Sequence, residues 1–346
     1  MRIIKLGRWL AAGALALSAP TLGQAQSVAQ AQSVNFGAEF DDVLGTELRS
    51  PQTFEAVYDT ALERRIAQLA DGTDGRIGVY AVDLASGREI GVLADQRFPM
   101  ASTSKVAIAA AYLAGVDQGR WSMTSEFRLP RPGGAYMSAQ RHLDLMISKS
   151  CNACTDALLQ AVGGPGAVNA WMRQAGITDF TLTRDIATLV REDGRKDPAS
   201  VVDIDDSATP RAMGQLLAGI YQGRWHTPSS RRILMNAMFE TTTGKNRMSS
   251  ALPSSARLAH KTGTLSRTAS DIGIFHTPDG RAIAAAIYVT GQSPSMAVEN
   301  GDRGQKLRAR ARRDQRISSI TGALYHGFGR AFDDGRMMAG ATYGTD

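Results

Sequence analysis

The sequence predicts an α/β (α+β) fold in which an antiparallel sheet is flanked by terminal helices and an all-helical subdomain is inserted between its strands. Three observations carry this expectation. Strand signals joined by glycine turns occur near both ends of the chain, helical periodicity fills the middle, and an apolar-periodic segment lies at each end of the folded part. The chain has 346 residues, 43% hydrophobic and 21% charged, which suits one large domain or two interleaved ones. That composition excludes wholesale disorder, collagen-like repeats and a polytopic membrane protein.

Residues 1–31 open with Arg2, Lys5 and Arg8 and no acid, then run apolar from Trp9 to Leu17. A cationic flank, a short apolar run and small residues beyond it are the pattern of a cleaved export signal, with Ala25 or Ala31 as the residue before the cut. The apolar run is shorter than the roughly 20 residues that span a bilayer, so no stable membrane span is expected after cleavage. The implied location is the periplasm or the exterior. Residues 32–50 read as a linker, 51–330 as the folded part and 331–346 as a tail. Within the folded part, about 51–98 and 240–330 are assigned to the sheet and about 99–239 to the helices.

From Thr53, the positions Phe54, Val57, Leu62, Ile66 and Leu69 recur at roughly helical spacing until Asp71-Gly72 stops them. Ile77–Val82 and Glu89–Leu93 flank Ala85-Ser86-Gly87, and Ile272–Phe275 and Ala282–Val289 flank Thr277-Pro278-Asp279-Gly280, giving two hairpins. Between them, Lys105–Ala114, Leu143–Met146, Thr155–Val162, Ala167–Gln174 and Arg211–Tyr221 have helical patterns. Ile317–Phe328 supplies the terminal helix. A cleft between the two parts is the natural place for a site.

Only two cysteines follow the leader, Cys151 and Cys154. Their C-x-x-C spacing suits redox chemistry or half a zinc site, but the ligands that would complete a zinc site are missing. The reading adopted is two small packing residues at the start of a helix, with no disulfide framework.

The formal charge is +6 and the pI about 9.5. Arg2, Lys5 and Arg8 account for three of these charges. Between Asp302 and Arg316, seven cations face two acids, Asp302 and Asp314. The rest of the chain is close to neutral, so the basicity is local and no nucleic-acid partner is indicated. The basic stretch reads as a solvated loop or helix face preceding the terminal helix.

Ser102-Thr103-Ser104-Lys105 stands directly before the apolar run Val106–Ala110. On a helix, Ser102 and Lys105 fall one turn apart on one face, so the amine is placed to take the hydroxyl proton. Alone, the spacing equally describes a capped helix with a solvated lysine. Ser150-Cys151-Asn152 sits in a loop between two helical stretches, where two polar side chains can face a cleft. Lys261-Thr262-Gly263-Thr264 reads as an inner strand whose glycine lets a substrate approach the backbone.

In this order, the three motifs resemble the Ser-x-x-Lys, Ser-Asp-Asn and Lys-Thr-Gly set of penicillin-recognising serine enzymes. With Phe98-Pro99-Met100-Ala101, Gly163-Gly164-Pro165, Asp206–Met213 and His260, the chain resembles the class A β-lactamases over roughly residues 50–330. The resemblance implies a five-stranded sheet and a β-lactamase/transpeptidase-like fold. It casts Ser102 as the acylated nucleophile, Lys105 as its proton-transfer partner and Ser150 as the relay to the leaving nitrogen. Asn152 would hydrogen-bond the substrate amide, and Lys261 and Thr262 would hold its carboxylate beside Gly263. The backbone N–H groups of Ser102 and Thr264 would form the oxyanion hole. No metal and no organic cofactor is called for, and a monomer is expected.

Two departures from that pattern stand out. Cys151 replaces the usual Asp or Gly, and the Glu-x-x-Leu-Asn segment whose glutamate activates the deacylating water is missing. Aligned from Gly163-Gly164-Pro165, Leu182-Thr183-Arg184 begins the loop and Ile186 falls at the glutamate position. Counted back from Asp206, that position falls near Glu192-Asp193, because the loop is several residues longer. Asp185, Glu192 and Asp193 are therefore candidate bases, with surface acids in a solvated loop as the alternative. Arg184 is expected to pair with Asp206. The function implied is an exported β-lactamase working through an acyl-serine. The alternatives are a related cell-wall D-Ala peptidase or esterase that β-lactams acylate but that turns them over slowly, and a non-enzymatic β-lactam-binding module.

Overall fold

The computed structural model describes residues 60–71 and 74–330. The segments predicted as export signal, linker and C-terminal tail lie outside the described residues, as do Phe54 and Val57 of the predicted first helix. The first helix, α1 (Ala61–Ala70), starts at a reciprocal cap. Thr60 Oγ1 accepts from the Glu63 N–H at 3.1 Å, while the Glu63 carboxylate accepts from the Thr60 N–H at 2.9 Å.

Both hairpins form. The first pairs β1 (Ile77–Asp83) with β2 (Glu89–Val92). The second pairs β9 (Thr268–His276) with β10 (Ala282–Thr290). With β8 (Leu258–Leu265) they make one antiparallel sheet of five strands in the order β2-β1-β10-β9-β8. The Lys261 strand is thus an edge strand, not an inner one. Its far side is unpaired in the sheet, which is where an extended ligand can add to it.

β10 is buried along its whole length because each face has its own cover. Ile283, Ala285, Ile287 and Val289 pack with Ile317, Ile320, Leu324 and Phe328 of the terminal helix α11 (Arg303–Arg330). The alternating residues Ala284, Ala286 and Tyr288 join Met213 and Leu216 of α7 (Pro210–Gln222) in the other core. Alanines on β10 and Gly214 on α7 permit the close approach, since a Cβ on Gly214 would lie 2.2 Å from the Tyr80 ring.

The inserted region is built round α2 (Ser104–Asp117), in which every residue from Ser104 to Gly115 is buried. A helix apolar on all sides belongs at the centre of a bundle. Around it lie α3 (Ala139–Ser148), α4 (Asn152–Val162), α5 (Pro165–Gln174) and α8 (Pro228–Phe239), the last without a counterpart among the sequence-predicted helices. Gly163 closes α4 at φ 107° and Pro165 opens α5, which explains Gly163-Gly164-Pro165. The region also carries short strands. Glu126–Arg128 (β4) pairs with Tyr136–Ser138 (β5), and Ser207–Ala208 (β7) pairs with both Phe98–Pro99 (β3) and Phe180–Thr181 (β6).

The basic stretch is not a loop ahead of the terminal helix but its first half. Part of it turns inward. Arg313, 2% exposed, donates to Glu299 at 2.7 Å, and Asp314 accepts from Arg247 at 2.7 Å. Among the described residues, no helix is long and apolar enough to cross a membrane.

Candidate active site

Ser102 lies in a single 3-10 turn, Ala101–Thr103, that leads into α2. The turn is clamped from two sides. Thr103 Oγ1 donates to Met100 O at 2.7 Å and lies 2.9 Å from the Tyr288 hydroxyl, while the Met100 N–H donates to Asp206 O at 3.0 Å. Ala101 adopts φ 49°, a left-handed conformation that costs a non-glycine residue about 1–3 kcal/mol. Gly263 on the edge strand abuts this turn. A Cβ there would meet Met100 O at 2.7 Å and Ala101 Cβ at 3.0 Å, so the close approach this glycine serves is that of the serine turn.

Three sequence-predicted residues meet around one hydroxyl. Lys105 Nζ donates to Ser150 O at 2.8 Å, Ser150 Oγ at 3.1 Å and Asn152 Oδ1 at 2.7 Å. Lys261 Nζ donates to Ser150 Oγ at 3.0 Å and to Thr262 O at 2.8 Å. Ser150 itself is left-handed at φ 58°, the turn that aims both its oxygens at the lysines. Both amines are buried, and burial pushes Lys105 down to about 7. Lys261 is also held well below its ordinary value, first by burial and then by the charge of Lys105. Two amines sharing one hydroxyl away from water resist being charged together, so one of them is available as a base near neutrality.

The remaining motif residues line the edge strand. Thr262 Oγ1 lies 2.6 Å from Thr243 Oγ1. Arg247, which sequence reasoning missed, is buried behind the strand. Its guanidinium donates to Gly263 O at 2.7 Å, Ser270 O at 2.9 Å and Thr264 Oγ1 at 2.7 Å. It lies outside every motif, 14 residues before Lys261, so spacing gave no signal. His260 Nδ1 pairs with the buried Asp271 carboxylate at 2.9 Å and shapes the strand from its other face.

Asp156 was also missed. It stands one turn after Asn152 on α4, a spacing that would have placed it on the same face. It is buried, its carboxyl is raised by burial, and its charge in turn favours the protonated form of Lys105. Its oxygens accept from the Ile186 N–H at 2.7 Å and the Ala187 N–H at 3.1 Å, at the start of α6 (Ile186–Glu192).

The three candidate bases are bonded elsewhere. Asp185 caps α6, accepting from the Thr188 N–H at 2.7 Å, and the Thr188 hydroxyl together with this N–H holds its carboxyl below the usual range. Glu192 pairs with Arg184 at 2.8 Å. Asp193 accepts from the Ser266 N–H at 2.9 Å. Among the described residues, none of the three bonds Ser102 or Lys105. Ile186 is buried and aliphatic. The expected Arg184–Asp206 pair is present at 2.5 Å and ties the two ends of the loop together.

Cys151 and Cys154 are not independent packing residues but form a disulfide. At the cap and first turn of α4 their Cα atoms are 5.3 Å apart, within reach of a bridge. Packing remains true of Cys154, which is 1% exposed. Among the described residues, no group of His, Cys, Asp and Glu side chains could hold a metal ion.

A family model described as the β-lactamase enzyme family matches residues 61–325. β-Lactamase VEB-1 of Pseudomonas aeruginosa is 28% identical over 263 residues, covering 68% of this chain and 86% of the relative. The carbapenem-hydrolyzing β-lactamase KPC of Klebsiella oxytoca is 31% identical over 244 residues, covering 64% and 78%. Among solved structures, an ancestral (GNCA) class A β-lactamase superposes with a TM-score of 0.68 at 29% identity, over 77% of this chain and 100% of that one. A β-lactamase from Chitinophaga pinensis gives 0.67 at 25%, over 78% and 100%.

Proposed function

The chain belongs to the β-lactamase enzyme family, as a class A-like serine hydrolase, and we propose that it is an exported β-lactamase that opens the lactam amide through an acyl-Ser102 intermediate. The observation that carries this is the relay Lys105–Ser150–Lys261, at 3.1 and 3.0 Å, one helical turn from Ser102. Neutral Lys105 takes the proton from Ser102, whose oxygen attacks the lactam carbonyl carbon. The developing oxyanion faces the N–H groups of Ser102 and Thr264, two fixed donors. The C–N bond then breaks as Ser150 passes a proton to the nitrogen and is reprotonated from the lysines. Lys261 and Thr262 hold the substrate carboxylate with the buried charge of Arg247 behind them, and Asn152 takes the substrate amide. Water completes hydrolysis of the ester. Export is supported by the leader sequence and by the disulfide, which persists in oxidising compartments.

A specific observation favours a second outcome for the ester. With Ile186 where the count from Gly163 calls for a carboxylate, and Asp185, Glu192 and Asp193 bonded elsewhere, activation of the hydrolytic water is the weak step. General base catalysis is worth about 10²–10⁴-fold, so its loss would leave a long-lived acyl-enzyme and an activity directed at cell-wall peptide or ester. Intact mass spectra taken while the mature protein is mixed with a chromogenic cephalosporin separate the two. Sustained colour without adduct supports the lactamase. A lasting adduct absent in Ser102→Ala supports the slow hydrolase, and neither colour nor adduct would sink both.

A further inference from the structure

Building on Ser102 as the acylated nucleophile, we infer that the Cys151–Cys154 disulfide is a positioning element of the active site, holding the Ser150–Asn152 loop in register with Lys105 and Lys261. Cys151 stands between the two residues that receive the lysines. Ser150 accepts on both O and Oγ, and Asn152 on Oδ1. The left-handed backbone of Ser150 is not its relaxed state, and a return to an ordinary conformation would swing both oxygens away from the amines.

The side-chain bonds that hold Ser150 come from the very lysines it must serve, and the backbone tie beside it is one hydrogen bond, Cys151 N–H to Leu145 O at 3.1 Å, so a further restraint is needed. The restraint lies one residue on. Cys151 Sγ takes the capping place of α4, accepting from the Cys154 N–H at 3.1 Å, but sulfur is a weak acceptor. An Asp carboxylate, one of the two residues usual at this position, would cap strongly. The covalent bond supplies the missing restraint instead, because Cys154 is 1% exposed and embedded in the core around α2. Thr155 adds a second tie, its N–H and Oγ1 both donating to Cys151 O at 3.2 and 2.7 Å. Cys151 is half-buried, so a small reductant reaches the bridge from its side.

The test uses the oxidised mature chain, treated with a water-soluble phosphine that is then removed by gel filtration. The disulfide accepts two electrons to give two thiols, and the phosphine takes oxygen from water to become its oxide. Thiol titration counts the product. Misplacement of catalytic groups by about 1 Å costs on the order of 10²-fold, so the rate of Ser102 acylation is expected to fall by at least about 10-fold. A loosened loop admits water to Lys105, which burial holds down to about 7, so the acid limb of the rate–pH profile moves to higher pH. Reoxidation restores both. Amide exchange should quicken over residues 149–156 and not in the sheet.

A reduced chain that stays folded and keeps its rate and pH profile overturns the inference. If reduction unfolds the chain, Cys151→Ser/Cys154→Ser replaces it, retaining a hydroxyl cap without the bond. Slow acylation by that folded variant supports the inference, and its unfolding shows that the bond holds the fold rather than the loop. If the oxidised chain forms no adduct, the Ser102 assignment fails, and amide exchange at 149–156 still decides whether the bridge holds the loop.

Discussion

Asp156 and Ile186 face each other across the site through a backbone bond, the Ile186 N–H donating to the Asp156 carboxylate at 2.7 Å. With the Ala187 N–H at 3.1 Å, both carboxylate oxygens serve the first turn of α6, while Asp185 serves Thr188. The position that the count from Gly163 gives to a catalytic acid is thus turned into a structural seat, with an acid on the opposite helix receiving its N–H. Asp156→Asn keeps the shape but opposes an amide N–H to that of Ala187, leaving a donor unsatisfied at a cost of about 1–3 kcal/mol. It also removes the charge that favours protonated Lys105, so the acid limb of acylation should shift to lower pH. Thermal melts and stopped-flow acylation across pH check both. An unchanged limb would deny Asp156 its electrostatic role.

On the proposed mechanism, Lys105 makes the acylation rate pH-dependent. Burial holds the amine down to about 7, and only the neutral form takes the Ser102 proton. The second-order rate of adduct formation should therefore climb as pH rises through about 7. Lys105→Met should remove the climb and lower the rate by about 10²–10⁴-fold. Adduct formation followed by mass between pH 5 and 9, a window chosen to span about two units on either side, is the measurement.

Much of this was legible in the residues. Both hairpins announced themselves through alternating apolar strands and Gly87 and Gly280 turns, and Lys105, Ser150 and Lys261 converge in the order of their motifs. What escaped depends on relations that no local pattern encodes. Whether β8 is an inner or an edge strand is decided by which strands find partners, and β8 carries buried residues like an inner strand because the serine turn covers it. The bridge between Cys151 and Cys154 depends on where the helix cap falls, and the basic run became helix because Glu299 and the Gly291 carbonyl receive Arg313.

Gly263→Ala should separate catalysis from stability. The added Cβ would lie 2.4 Å from Ser270 Oγ and 2.7 Å from Met100 O, and a backbone oxygen in a clamped turn has little room to yield. Overpacking of this kind costs about 1–3 kcal/mol. Because the displaced atoms belong to the Ser102 turn, acylation should fall by more than stability suggests, on the order of 10–10²-fold. Denaturant melts beside acylation rates give both numbers, and a variant with full activity would place the strand farther from the turn than found here.

The loop that carries α6 is tied at its base by Arg184 and Asp206. Asp206 is 2% exposed and also accepts from the Thr183 N–H at 2.8 Å. Arg184→Ala leaves that carboxylate short of its cation, and Glu192 loses a partner too. A loss of about 2 kcal/mol is expected for the half-buried pair. Its signature is local, with proteolysis between residues 193 and 205 quickening while the sheet remains protected. Uniform loosening of the whole chain would contradict a role confined to the loop.

Glu299 joins two buried guanidiniums, Arg313 at 2.7 Å and Arg267 at 3.4 Å, and also accepts from Ser293 Oγ at 2.7 Å. Burial alone would raise its carboxyl, but the Arg313 and Ser293 hydrogen bonds and the two positive charges outweigh it and hold it below its ordinary 4.5. A carboxyl depressed in the folded chain stabilises fully above its unfolded value, and that contribution drains away as pH falls through the folded one. Glu299→Gln leaves Arg313 buried without a counter-charge, while Arg267 keeps Asp197 at 2.9 Å, so it should cost about 3–5 kcal/mol at neutral pH. Because the variant has already lost the titrating group, the gap between the two chains must narrow on acidification. Urea melts of both at pH 7 and near pH 3 measure it, and a gap that stays constant would mean that Glu299 acts by shape rather than by charge.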